Sequence, residues 1–493
     1  MGLEITRDRF DPEDEARFAA RLRDGLAALG TLLARPRFGE GPPSVGAELE
    51  VSLVDALGRP LPVNRAVLAS TVDPRVTLEV DRFNLELNTR PCALAGRPFT
   101  ALADELTDGL GELRCAAALH GGRVVTIGIL PTLTAADLDA GALTDSPRYR
   151  ALSAAIRALR HQPFAIRIGG DDPLALRADD VTMQGANTSF QVHLRIPPAA
   201  FARTYNAAQI AVAPVLAAAG NSPLFIGHRL WEETRVALFR QSVDERVDAL
   251  PDDWRPARVS FGHGWVRAGA HELFAEGVAQ HAPLLPVCGD EDTLACVAAG
   301  GVPALHELRL HHGTIWRWNR AVYDPADGGH LRIELRALPS GPTVIDMAAN
   351  AAFLLGLTLG LEPDVDALLP GLTFGQARRN FYAAARDGLA AELLWPSATA
   401  PSPRPVAAAA LVSRLLPLAR AGLLRYGVDA SEADDALAVI AARVAAGVTG
   451  ARWQRRALDR LAATRSRTEA APAMLERYLA AVATGRPVHE WTA

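Results

Sequence analysis

What most constrains the fold of this chain is a set of short segments, spread over its first two-thirds, in which polar and apolar residues alternate one for one. Successive side chains of a β-strand point to opposite faces, so residues two apart share a face. Ser44-Val45-Gly46-Ala47-Glu48-Leu49-Glu50-Val51 therefore sets Glu48 beside Glu50. Asn84-Leu85-Glu86-Leu87-Asn88 puts Glu86 between two asparagines, and Leu78-Glu79-Val80-Asp81 supplies further carboxylates just upstream. Ser189-Phe190-Gln191-Val192-His193-Leu194-Arg195 groups Gln191, His193 and Arg195 on one face. His330-Leu331-Arg332-Ile333-Glu334-Leu335-Arg336 does the same for His330, Arg332, Glu334 and Arg336. Such alternation belongs to antiparallel sheets with one face packed and one open. Further alternating stretches at 123–130 and 305–319, with helical stretches at 99–120, 199–219 and 343–361 between the segments, predict an α+β fold rather than a doubly wound one.

One such strand taken alone is more often a solvated face. Four together read differently, because their polar residues are not a mixture of lysine, threonine and serine. They are glutamates, a histidine, amides and arginines, the ligands a hard divalent ion accepts plus the forks that hold phosphate. Adjacent carboxylates such as Glu48 and Glu50 repel unless a cation or solvent screens them. If the strands share a sheet, they form an acidic cleft rimmed with arginine, and Mg²⁺ ions with a nucleotide would balance its charge.

At 493 residues the chain is long enough for two or three domains. No uninterrupted apolar stretch reaches the roughly 18–20 residues of a bilayer span, and the opening Met1-Gly2-Leu3-Glu4 is unlike a secretory signal. Cys92, Cys115, Cys288 and Cys296 have neither metal-type spacing nor a disulfide framework, which points to a reducing cytoplasm. A net charge of −5 argues against nucleic acid as a partner. All 51 basic residues are arginine. Without lysine there is no Walker-type phosphate loop, Schiff base or lysine general base, so any phosphate site must use arginine and metal ions.

Periodicity divides the chain into an N-terminal helix over 1–40, an α+β unit over 41–365 and a helical C-terminal region over 366–493. The proline-rich run Ser397–Pro405 reads as a linker or ordered loop. Trp316 and Trp318 could stack on a purine or fill core. His311-His312 suits a turn or a hydrogen-bonding role better than metal ligation, and Asn221-Ser222-Pro223 with Arg229 and Arg235 forms an arginine patch.

These residues resemble the glutamate–cysteine ligases of the second bacterial type and their relatives, the carboxylate–amine ligases. The resemblance rests on Val45–Val51, Arg82–Pro91, Gln184–Leu194, Asn221–Arg235 and Leu331–Ala337, which occur in the family's order over about residues 45–360. It implies a glutamine-synthetase-like fold: an antiparallel sheet forming a funnel-shaped active site, with helices behind it. It implies metal ligation by Glu48, Glu50, Glu79, Glu86, His193 and Glu334, with Asp81 a rival to Glu79. It places Arg336 and Arg235 in catalysis, and Arg320, Asn187, Gln191 and Trp316 at substrate or nucleotide. Where relatives carry Trp-Asp-Ile-Arg-Pro, this chain has Trp318-Asn319-Arg320-Ala321.

The reaction implied uses ATP, and two or three Mg²⁺ ions (Mn²⁺ as an alternative), to convert a carboxylate, in glutamate the γ-carboxylate, into an acyl phosphate. Cysteine or another amine then displaces phosphate. The expected partners are these small molecules, without nucleic acid or membrane, and with a homo-oligomer left open. A metal-dependent hydrolase, a phosphotransferase on the same cleft and a non-catalytic ligand-binding relative are the rival readings.

Overall fold

The computed structural model of the protein describes residues 5–247, 255–397 and 400–492. The opening Met1–Glu4 lies outside the described residues.

Eight strands form one antiparallel sheet: β1 (Ser44–Val54), β2 (Val76–Leu78), β3 (Asn84–Asn88), β4 (Cys92–Ala93), β5 (Arg123–Val125), β6 (Phe190–Arg195), β7 (Asn319–Asp324) and β8 (His330–Leu335). Their order is β7-β8-β6-β1-β3-β2, with β4 and β5 pairing on β1. The alternation explains which face is dry. Leu49, Val51 and Leu53 of β1, Leu85 and Leu87 of β3, Phe190, Val192 and Leu194 of β6, and Leu331 and Ile333 of β8 are all fully buried. That face packs against helices, chiefly α2 (Pro98–Ala118), α3 (Phe201–Ala219) and α4 (Val344–Leu361).

An N-terminal helix, α1 (Pro12–Leu33), starts later than its periodicity suggested, because Asp11 caps it in a capping box with Asp14 and Pro12 occupies its first turn. The stretch 305–319, predicted as strand, is instead a short helix over His306–His312. Its Leu308, Leu310 and His311 are all buried, so both alternating and helical spacing fit so short a run, and packing decides it. Strand β7 follows it and forms a hairpin with β8.

The C-terminal helices α5 (Ala408–Arg425) and α6 (Ala430–Ala446) pack directly on α4. The α4–α5 crossing is glycine-lined. A Cβ on Gly422 would lie 2.2 Å from the carbonyl oxygen of Gly356, so only glycine permits the approach. Arg443 of α6 pairs with Asp346 of α4 at 2.7 Å, both buried. The proline-rich run belongs to a hairpin of strands Glu392–Ser397 and Ala400–Ala407 rather than a linker. Prolines 401, 403 and 405 recur every second residue, so their missing donors fall on one side of a two-stranded edge, where proline is tolerated. By length and composition Val344–Gly371 and Ala430–Ala462 could cross a membrane, but acidic residues interrupt the apolar run of both, and the first is almost wholly buried in this core.

Candidate active site

The wet face of the sheet carries the predicted residues, and strand register brings them together. Glu50 pairs across β1–β3 with Glu86, which pairs across β2–β3 with Thr77. On the other side, Glu48 lies opposite Gln191 and Gly46 opposite His193. His193 in turn faces Glu334, and Glu334 faces Arg320. Gly46 and His193 both line the cleft.

Two ligand clusters result. In the first, ligand atoms of Glu48, His193 and Glu334 lie within 4.8 Å of one another, and in the second those of Glu50, Glu79 and Glu86 do. In the first cluster His193 Nε2 lies 3.1 Å from Glu48 Oε1. Its other ring nitrogen, Nδ1, has no hydrogen-bond partner among the described residues, although the residue is buried. Glu334, wholly buried, accepts from Arg320 Nη2 at 2.9 Å and Arg336 Nη1 at 2.6 Å. Burial alone would raise its carboxyl, but Arg320 and Arg336 outweigh it and hold Glu334 far below the usual carboxylate range. Gln191 links the clusters: its Nε2 donates to Glu50 Oε1 at 3.1 Å and its Oε1 accepts from Arg336.

Among the described residues, the second cluster has no such counter-charge in contact. Glu86 accepts from Asn88 Nδ2 at 2.9 Å and Thr77 Oγ1 at 3.2 Å, and Glu50 accepts from the Ser189 amide at 2.7 Å. Burial and the Glu86 charge push Glu50 up to about 7, against the pull of Arg235 and Arg336. Burial, Glu86 and Glu50 push Glu79 well above the ordinary range. Two carboxylates with an imidazole in the first cluster, and three crowded carboxyls, two of them raised, in the second, fit divalent cations in both.

The structure separates Glu79 from its rival. Glu79 joins Glu50 and Glu86, whereas Asp81 is buried against Gly185, with neither carboxyl oxygen hydrogen-bonded among the described residues. Other expectations need correction. Trp316 lies in the core, its ring 5.9 Å from that of Phe239, and does not line the cleft. Asn187 turns back on its own loop, its Nδ2 donating to the Gln184 carbonyl at 2.9 Å. Arg235 is buried and paired with Glu233 at 3.1 Å, so it acts on Glu50 through its field and not as a free fork.

The cleft beside the first cluster has a cavity of ≈ 250 Å³. Its far wall contains residues that sequence reading did not select: Arg148, Phe274, Arg309 and His312. Arg309 and His312 stand one turn apart on the helix His306–His312. His312 is buried, stacks on Phe274 at 4.2 Å and has no hydrogen-bond partner at either ring nitrogen among the described residues. Burial, then Arg320 and Arg317, push it well below the usual histidine range, so its ring is neutral. The adjacent pair His311-His312 in an arginine-bearing stretch was the available signal.

A curled antiparallel sheet with acids and arginines on its inner face is the framework of a carboxylate–amine ligase. The family model described as glutamate–cysteine ligase family 2 matches residues 44–478, and the chain belongs to that family. It is a carboxylate–amine ligase. Among solved structures it is similar to a glutamate–cysteine ligase from Francisella tularensis in complex with AMP, with a TM-score of 0.56 at 11% identity over 90% of this chain and 89% of that one. It is also similar to a bifunctional glutathione synthetase from Pasteurella multocida, with a TM-score of 0.45 at 12% identity over 94% of this chain and 55% of that one. No curated protein matches the sequence.

Proposed function

We propose that this ligase uses ATP and Mg²⁺ to join the γ-carboxylate of glutamate to an amine, through an acyl phosphate. The observation that carries the reading is the pair of three-residue ligand clusters on adjacent strands, with Arg320 and Arg336 forked onto the glutamate of one of them. Glu48, His193 and Glu334 would hold one ion and Glu50, Glu79 and Glu86 another. Bound there, the ions would offset the charge of the ATP phosphates. A carboxylate is a poor electrophile because its leaving group would be oxide. Attack of its oxygen on the γ-phosphorus releases ADP and leaves an acyl phosphate. The amine nitrogen then adds to the carbonyl carbon, loses a proton, and phosphate departs with the C–O bonding pair.

The chain's own residues contribute charge and position, which is what phosphoryl transfer requires of a protein. Arg336 is fixed from two sides, by Glu334 and Gln191, so its guanidinium enters the reaction without having to be ordered first. Arg309 lines the cavity, where contact with phosphate oxygens would replace what lysine does elsewhere, while Arg320, forked onto Glu334, adds its positive field. The apolar contact of Phe274 with the neutral His312 suits the nucleoside end. We place the enzyme in the cytoplasm, where ATP and free thiols coexist.

The test is ADP release with Mg²⁺ and glutamate across a panel of amines that includes cysteine, with mass spectrometry of the products. A glutamate-dependent amide is expected. Folded protein that yields no amide with any amine would overturn the reading.

A further inference from the structure

A second cavity, of ≈ 450 Å³, lies outside the cleft and shares no lining residue with it. Its wall carries Arg160, Arg167, Arg240 and Arg246 with one carboxylate among the described residues, Asp244. Arg246 pairs with Asp244 at 2.7 Å, and Arg160 is committed to backbone, donating to the carbonyls of Pro163 at 3.1 Å and Asp244 at 2.8 Å. Arg167 and Arg240 remain, with no carboxylate partner among the described residues. Arg240 lies over the ring of Tyr382 at 5.7 Å, and Trp231 supplies a second aromatic wall. Like charges in one concavity repel. Two guanidinium forks beside flat aromatic surfaces match a small molecule with two or more phosphate or carboxylate groups on a short apolar body.

The cavity is joined to the cleft by packed elements. Val236, Ala237, Arg240 and Gln241 line it from the helix Arg235–Ser242, whose first residue is the arginine acting on Glu50. On the same helix Phe239 packs edge-on against Trp318 at 6.0 Å, two residues before Arg320. From the cavity side, Tyr382 meets Phe381 at 5.3 Å, and Phe381 meets Trp318 at 5.5 Å. A ligand that draws Arg240 off Tyr382 therefore acts on the two elements that carry Arg235 and Arg320.

We propose that this cavity is a second ligand site, for a small polyanion, whose occupancy alters turnover in the cleft. The binding half does not depend on the ligase reading, since it is measured without substrates. Inorganic pyrophosphate and citrate are titrated calorimetrically into the metal-free full chain and into Arg167→Gln/Arg240→Gln, with Arg240→Glu as a charge-reversed second variant. Loss of two charge-assisted contacts should weaken one binding event by about tenfold or more in both variants. Pyrophosphate alone, citrate alone or both being affected identifies the phosphate or carboxylate source. Basal turnover should match wild type, and the saturable effect of the active probe on turnover should vanish in the variants. Binding isotherms identical to wild type in both variants, or no binding of either probe to wild type, would overturn the site. Binding without any effect on turnover would overturn the coupling.

Discussion

Without a bound cation, the stability of this protein should fall as pH rises through neutrality, and the second cluster gives the size of the effect. Folded Glu50 takes up its proton at about 7, whereas its ordinary value is 4.5. Between those values the native state binds more protons than the unfolded chain, so unfolding free energy declines with rising pH. The decline is absent below the lower value and complete above the upper one. A shift of that size corresponds to at most about 3 kcal/mol, less whatever solvent screens at a partly buried group. For a chain of 493 residues, whose unfolding entropy is roughly 1 kcal/mol/K, this is ~3 °C in Tm. Glu79, raised by burial, Glu86 and Glu50, adds to it in the same direction. Buried His311, pushed down to about 4 from 6.5, acts oppositely, but only below the upper of those values. Comparing wild type with Glu50→Gln cancels that contribution. In chelator, the Tm of wild type relative to Glu50→Gln should drop by ~3 °C between pH 5 and pH 8. Mg²⁺ at about 100 times its Kd should return roughly 2.7 kcal/mol to wild type and less to the variant. A difference between the two proteins that is flat with pH, or that opens the other way, refutes the reasoning.

Glu334→Gln keeps the shape but removes the charge held between Arg320 and Arg336, and turnover should fall on the order of 10²–10³ with the circular dichroism spectrum unchanged. Asp346→Ala strands the buried Arg443 and also removes the acceptor of the Val488 amide, so calorimetry should register about 3–5 kcal/mol of lost stability without a change in KM. His312→Phe fills the same space on Phe274 without a polar atom, and steady-state kinetics should show KM for ATP raised about tenfold with kcat little altered.

Much of the candidate site was legible because it lies on strands, where a period of two assigns faces without any knowledge of neighbours. Glu48 with Glu50, Gln191 with His193 and Glu334 with Arg336 needed only that period, and one sheet containing β1, β3, β6 and β8 then made the two clusters. What failed lay off the ladder. Glu79 follows the last residue of β2, and Asp81 pairs only with Leu143 in an isolated bridge, so alternation could not rank them. Arg309 and His312 were missed because seven residues from His306 to His312 satisfy either period, and which one holds depends on tertiary contacts. Trp316 was misplaced for the converse reason: an aromatic in an alternating run fits a ligand or a core, and packing on Phe239 decides it.

The two clusters are not electrically equivalent, and that difference orders their loading with metal. The first offers two carboxylates and an imidazole, but Glu334 is already neutralised by two arginines and stays ionised without help. The second offers three carboxylates whose nearest donors are two side-chain amides, a hydroxyl and two backbone N–H groups, all uncharged, and two of the carboxylates are pushed toward the protonated form. A cation there relieves repulsion that Arg235 and Arg336 offset only in part, whereas in the first cluster it must compete with Arg320 and Arg336 for Glu334. The second cluster should therefore fill first, and its affinity should rise with pH as Glu50 and Glu79 lose their protons. Mn²⁺ titration followed by electron paramagnetic resonance should resolve a tight and a weak site in the protein without nucleotide. Glu86→Gln should abolish the tight one and His193→Ala the weak one. If His193→Ala instead removes the tight site, arginine pairing does not govern affinity here, and the electrostatic account of the cleft fails with it.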